Sequence, residues 1–268
     1  MLDSTITVQS IIDKLVEPIG PLGATVDQLV AGDPNRQARR VAVAFLASYD
    51  VIREAAAQGA DLIITHEPTF YLHNDETEWL GGDPVYEEKR RLIEESGIAI
   101  FRFHDYVHLY KPDGILEGML ERMEWTELAR PEARHIVDVP PATVREVADR
   151  FREKLPVRGR MQLFGDPELA VSAIGLLPGM VGGQKQIRTF SEFGPELIVV
   201  GETHEWETNE YVRDAIAMNG NKALLILGHE ASEEAGMRAV VPMLRAAFPD
   251  VETFYATGRQ DRSGPIYL

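Results

Sequence analysis

Cysteine is absent from all 268 residues. That removes disulfides, thiolate zinc sites and thiol nucleophiles together, and it fits a reducing compartment. Positive charge is scarce: 27 Lys and Arg stand against 43 Asp and Glu, giving a net charge of −16. No basic run concentrates what there is, and such a surface repels a phosphate backbone, so nucleic acid is not expected as a partner. Long apolar runs are missing as well; none reaches the roughly 20 residues that a membrane-spanning helix needs. The opening stretch Met1 to Thr7 lacks the basic start and apolar run of a secretory leader. The expectation is a soluble, cytoplasmic protein with no membrane partner. Gly179-Met180-Val181-Gly182-Gly183 offers a weak anion cradle, but no Gly-Lys-Ser/Thr follows, which excludes a P-loop.

What the chain does contain is a repeat. Ile52-Arg53, Gly59, Asp61-Leu62-Ile63-Ile64 and His66-Glu67 recur as Ile187-Arg188, Gly194, Glu196-Leu197-Ile198-Val199 and Gly201-Glu202, at a constant offset of 135 residues and without a gap. A second echo, offset by 125, sets His104-Asp105 and His108 against His229-Glu230 and Glu233. A repeat on this scale governs the fold. The runs Arg40 to Phe45, Leu62 to Thr65 and Ile98 to Phe101 read as strands. They alternate with helices over about Tyr49 to Gln58 and Pro84 to Ser96, each closed by a glycine. Strand and helix alternating in this way predict parallel strands covered by helices. Thr7 and Thr143 are expected N-caps, the latter with Glu146 completing a capping box.

The expected fold is therefore α/β: two similar halves from an internal duplication, mostly parallel sheets flanked by helices, in one compact body. The halves divide at 1–124 and 125–268. Trp125 to Val157 is read as a polar, proline-containing link that supplies one helix. Met161 to Phe164 and Ala170 to Leu177 are read as a strand pair. The second copy continues through the strands Leu197 to Val200 and Ala223 to Leu227 to a last helix, Ala231 to Ala247.

Ligands of parallel sheets bind beyond the carboxyl ends of the strands. His66, Glu67, His108, His229 and Glu233 all follow strand ends, and imidazole with carboxylate suits Zn, Mn, Fe or Co better than Ca or Mg. His229 and Glu233, four apart at a helix start, share a helical face, as do His104 and His108. Glu202, the duplicate of Glu67, reads as a substrate-side residue. His204 and Glu205 lie close enough in sequence to reach the site, whereas His73 and His135 are expected in solvent.

Gly59 to Pro68 and Gly228-His229-Glu230-Ala231-Ser232-Glu233 with Gly236 resemble the signatures of the NIF-three-like dinuclear metal centre family, often labelled type II GTP cyclohydrolase I homologues. Leu197 to Glu202 is similar to its second-half strand. The resemblance implies two metal ions, a fold of two similar halves and a ring-like hexamer. It also marks two departures. The family's adjacent histidine pair is His66-Glu67 here, and its Asp four residues after a His is His108. The exchanges compensate, so the implied ligand set remains three histidines and two carboxylates, with Glu233 bridging and Asp105 as a second candidate for the acidic position. The implied activity is metal-dependent hydrolysis of a small phosphorylated or heterocyclic, nucleotide-like substrate, with Glu202, His104 or Asp105 moving protons. The alternative is a metal-binding scaffold that stores or delivers metal, or binds protein partners, without turnover.

Overall fold

The computed structural model of the chain describes residues 5–155, 157 and 161–258. Residues 1–4 of the stretch read for a leader, and Pro156 of the middle segment, lie outside them. In chain order the elements are α1 (Val8–Val16), β1 (Leu29–Ala31), β2 (Arg40–Ala44), α2 (Tyr49–Ala57), β3 (Leu62–Thr65), α3 (Pro84–Ser96), β4 (Ala99–Arg102), α4 (Asp105–Leu109), α5 (Gly114–Met123), β5 (Ala129–Arg130), β6 (Ala133–Thr143), α6 (Val144–Lys154), β7 (Gln162–Phe164), β8 (Ala170–Leu177), α7 (Gly183–Phe193), β9 (Leu197–Val200), α8 (Glu210–Ala217), β10 (Ala223–Ile226), α9 (His229–Ala247) and β11 (Glu252–Tyr255). Contacts group these into two units. Among the described residues, one holds those up to Gly114 and again Met237–Gly258; the other lies within Ile115–Gly236. The division expected from the sequence falls at 124/125. Among the described residues no helix is long and apolar enough to cross a membrane.

The first unit carries the sheet β1-β4-β3-β2-β11, in which β11, β2, β3 and β4 run parallel and β1 is antiparallel to β4. Every residue of β3 and β4 is buried, as expected of strands covered on both faces. The second unit carries β5-β6-β8-β9-β10-β7. Here β8, β9 and β10 are parallel, while β6, β5 and β7 pair antiparallel, so this sheet is mixed.

The repeat is visible in the topology. The parallel triplet β2-β3-β4 corresponds to β8-β9-β10, and in each unit the third strand takes an antiparallel edge strand, β1 or β7, from the chain ahead of the triplet. The duplicated acids do the same work in both copies. Asp61 accepts the backbone N–H groups of Arg39 and Arg40 at 2.9 and 3.2 Å, and Glu196 accepts those of Ser172 and Ala173 at 3.0 Å each. Each carboxylate thus pins the first strand of its triplet to the second one residue before pairing begins at Val41↔Leu62 or Ile174↔Leu197. Burial raises the Glu196 carboxyl, but the backbone donors outweigh it and hold the group below its usual range. Gly59 and Gly194 follow α2 and α7 with φ of +70° and +71°, a left-handed turn that a Cβ disfavours.

Two expectations are corrected. The middle segment is no simple link: β5 and β6 build the second sheet, and only the helix read there, α6 with its Thr143/Glu146 capping box, is as expected. Pro140 and Pro141 hid the strand, and they fit it because the pairing with β8 shifts register between Asp138 and Ala142. β7 and β8 do not pair. β8 is already bonded on both sides, to β6 and β9, and β7 joins the far edge against β10. Beyond α9, a segment for which no element was expected returns as β11 beside β2.

Two packing details generate tests. Gly118 of α5 and Gly236 of α9 touch backbone to backbone; a Cβ at Gly118 would lie 2.4 Å from the Gly236 Cα. Gly118→Val is expected to lower stability by about 2 kcal/mol, read as a drop in the urea midpoint. Lys89 on α3 is buried, its ammonium donating to the Thr69 carbonyl at 2.5 Å and lying over the Phe70 and Tyr71 rings. Burial pushes this group down to about 8, with Asp75 opposing. Between that value and the unfolded pKa of about 10.4, the unfolded chain binds the extra proton, so stability rises with pH. Relative to Lys89→Met, the wild-type protein is expected to gain stability from pH 8 to 10.4 in denaturant titrations; parallel curves would refute it.

Candidate metal centre

In the first unit, β3 delivers His66 and Glu67 just past its last paired residue. The N–H groups of both residues donate to the Phe45 carbonyl, at 3.0 Å each, and the Thr65 hydroxyl also donates to that carbonyl at 3.1 Å. His66 is fully buried. Its Nδ1 lies 3.1 Å from the Phe103 carbonyl, an acceptor only, so in the neutral ring Nδ1 carries the hydrogen and Nε2 the lone pair. Arg102, at the end of β4, is equally buried. It donates to the carbonyls of His66, at 3.2 Å, and His73, and stands 3.9 Å from the Glu67 carboxylate.

β4 leads into His104 and α4. The Asp27 carboxylate accepts the N–H groups of His104 and Asp105 at 2.6 Å each, capping this short helix from a distant loop. His104 Nδ1 is 2.9 Å from Asp105, whose other oxygen accepts from Thr25 and Val26. Burial raises the Asp105 carboxyl, and the bonds from His104, Val26 and Thr25 more than offset it. His108, one turn on, has its Nδ1 3.0 Å from Asp113. The three imidazoles meet: ring centroids are 4.5 Å apart for His66 and His104, 5.1 Å for His66 and His108, and 5.2 Å for His104 and His108. Ligand atoms of all three lie within 4.8 Å of one another. Burial, and next the His66 ring, hold the His104 imidazole below its usual pKa against the bond from Asp105.

In the second unit, β10 leads to His229 at the start of α9. His229 Nε2 is 3.1 Å from Glu233, one turn on, and its Nδ1 is 3.5 Å from Glu202 beyond β9. Glu233 is buried, whereas the Glu202 side chain is 52% exposed. Gly179 determines where the Glu233 carboxylate sits: with φ +68°, a Cβ there would fall 2.2 Å from Oε1. The Gly179 N–H donates to the Ser232 hydroxyl at 3.0 Å, and that hydroxyl donates to the His229 carbonyl at 2.7 Å.

The residues expected to hold metal therefore stand as His66, Glu67 and His108 in one unit and His229 and Glu233 in the other. His104, read as a proton carrier, has joined the imidazole group. Asp105 turns toward Thr25 and Val26. His204 stacks on Trp206 at 4.9 Å and lies 3.3 Å from Glu207. His73 is exposed as expected, yet its ring lies edge-on to His104 at 5.6 Å. His135 corrects its expectation: it is half-buried on β6 against Phe193. Asp27, Arg102, Phe103 and Asp113 escaped sequence reasoning because their roles depend on contacts across loops. Gly179 did carry a signal, the glycine-rich run, but its neighbour is a carboxylate of the chain itself.

Imidazoles oriented by acceptors, His66 among them fully buried, with a buried carboxylate in a glycine cradle, fit a divalent transition metal such as Zn, Mn, Fe or Co. Gly179→Ala is expected to displace Glu233 and weaken Zn²⁺ or Mn²⁺ binding roughly tenfold or more, measured by calorimetric titration of metal-stripped protein. Unchanged affinity would remove Gly179 from this role.

The chain is 23% identical over 257 residues to a GTP cyclohydrolase 1 type 2 homolog from Chlamydia pneumoniae, covering 91% of this chain and 92% of that one. A hypothetical protein from Staphylococcus aureus superposes with a TM-score of 0.74 at 14% identity, covering 98% of this chain and all of that one. A Bacillus cereus protein related to NIF3 gives 0.71 at 15% identity, over 97% and 99% of the two chains. The family described as Duf34/NIF3 (NGG1p interacting factor 3) matches residues 10–261. With duplicated strand triplets, histidines and acids beyond their ends, and a match over nearly all of its length, the chain belongs to the Duf34/NIF3 family.

Proposed function

We propose that the protein is a dinuclear-metal hydrolase. His66, Glu67, His108, His229 and Glu233 hold two divalent transition-metal ions, and the substrate is a small phosphorylated or heterocyclic, nucleotide-like molecule. The observation that carries this reading is the contrast between the two carboxylates on His229. Glu233 is sealed from solvent at 3.1 Å from one ring nitrogen, and Glu202 is open to it at 3.5 Å from the other. A sealed carboxylate suits permanent ligation, whereas an accessible one can exchange protons with substrate and solvent. A scaffold that only stores metal has no need of the second.

When bound, such ions polarise a substrate oxygen and acidify water toward neutrality. The chain's own contribution is orientation and proton transfer. His229 is fixed through its carbonyl by Ser232, and Glu202 is fixed through its N–H, which donates to the Gly179 carbonyl at 3.0 Å. Glu202 then accepts a proton from the attacking water and returns it to the leaving group. The names of the curated relatives make GTP one substrate to include. The same reading carries a homo-oligomer, a hexamer by family resemblance.

The test is a metal-reconstituted screen over nucleotides, phosphate monoesters and GTP, with formate release as the cyclohydrolase readout. Glu202→Gln is expected to lower kcat about 100-fold with metal content unchanged, and His229→Ala to lose metal. A fully metallated protein without turnover on any substrate would favour the scaffold. Turnover unaffected by Glu202→Gln would exclude Glu202 as the proton carrier.

A further inference from the structure

We infer that His104 is a metal ligand, completing with His66 and His108 a three-imidazole site within the first unit, and that Asp113 is the positioning residue that turns His108 into it. The inference rests on the proposed metal-dependent function and changes the ligand set from which that function works.

The argument begins with protons. A neutral imidazole has one N–H and one lone pair, and whichever nitrogen faces an obligate acceptor carries the N–H. All three histidines present Nδ1 to such an acceptor. For His66 it is the Phe103 carbonyl at 3.1 Å, for His104 the Asp105 carboxylate at 2.9 Å, and for His108 the Asp113 carboxylate at 3.0 Å. Each ring in its neutral form therefore bears its lone pair on Nε2. Three histidines with the same tautomer, and with ligand atoms within 4.8 Å of one another, are the arrangement that a metal ion rewards. A histidine whose second nitrogen is bound to a carboxylate or carbonyl is the usual form of a metal-ligating imidazole, because the acceptor fixes the tautomer and raises the basicity of the ligating atom.

The supports are themselves supported. Asp105 is held by Thr25 and Val26, and Asp27 fixes the turn that presents His104. Thus His104 is oriented by a network anchored well away from the rings, which a freely moving proton carrier would not need. Asp113 plays the matching part for His108, the residue that stands where the family pattern has an acid. Replacing a carboxylate by an imidazole removes a negative charge from the face and adds a nitrogen donor. The resulting site favours metals that prefer nitrogen, Zn²⁺ and Co²⁺, over Mn²⁺ and Mg²⁺.

The probe is Co²⁺ alone, titrated into the metal-stripped full chain and followed by visible d–d absorption and calorimetry. The variants are His104→Gly, Asp113→Asn and, as a control, His73→Ala. His104→Gly is expected to weaken Co²⁺ binding at least tenfold and to change the absorption bands, with added imidazole restoring them. Asp113→Asn keeps the size of the side chain but removes the charge that fixes the tautomer. It is expected to weaken binding between tenfold and 100-fold and to narrow the preference for Co²⁺ over Mn²⁺, and it carries the test if His104→Gly does not fold. His73→Ala should match the wild type. Unchanged Co²⁺ affinity and bands in His104→Gly, or in Asp113→Asn where only that variant folds, would overturn the assignment while leaving the wider metal-dependent reading intact. A wild-type protein that takes up no Co²⁺, Zn²⁺ or Mn²⁺ would overturn both.

Discussion

The loop that follows β3 is organised around one fully buried guanidinium. Arg102 has no exposed surface, and a guanidinium out of water is tolerated only when its donors are answered. They are answered by the carbonyls of His66 and His73, with the Glu67 carboxylate nearby. Because a carbonyl must point at the charge, the peptide after β3 has little freedom, and its side chains follow. His66 is driven inward, where its ring finds the Phe103 carbonyl; Glu67 is left beside the cation that compensates its charge. A residue that takes no direct part in the chemistry thus decides where two metal-type side chains go.

The second unit reaches a comparable result without a buried cation among its described residues. There the constraint is steric. Gly179 lets backbone approach the Glu233 carboxylate more closely than a Cβ would allow, and Ser232 links that backbone to the His229 carbonyl. The two copies therefore share a frame and differ in how they furnish it. The frame is the parallel triplet with its antiparallel edge strand and its carboxylate pin. The furnishing is a charged network in one copy and a glycine contact with a hydroxyl bridge in the other.

This division explains what could be read from the amino-acid order. Periodic, local features were legible: the buried β3 and β9, the caps at Thr7 and Thr143, the glycines after α2 and α7, and the histidines and acids beyond strand ends. Features that depend on distant pairing were not. β6 is polar, carries two prolines and is stabilised by its neighbours, so no local signal favoured a strand. β7 offers three residues whose partner is chosen by which edge remains open. Asp27 and Asp113 look like ordinary loop acids until the fold brings the His104 backbone and the His108 ring to them. The candidate site was thus legible in its donors and illegible in the groups that orient them, since orientation belongs to tertiary structure.

The carboxylate pins at Asp61 and Glu196 have one more consequence. They fix strand register at the amino ends of β3 and β9, whereas the candidate donors lie beyond the carboxyl ends of β3, β4, β9 and β10. Assembly and chemistry are therefore specified by different residues at opposite ends of the same parallel triplets. An exchange such as Glu67 with His108 alters the donor end while leaving alignment untouched. The fold can explore new ligand sets by single substitutions without passing through a misaligned sheet, which makes the architecture evolvable where its reactivity resides.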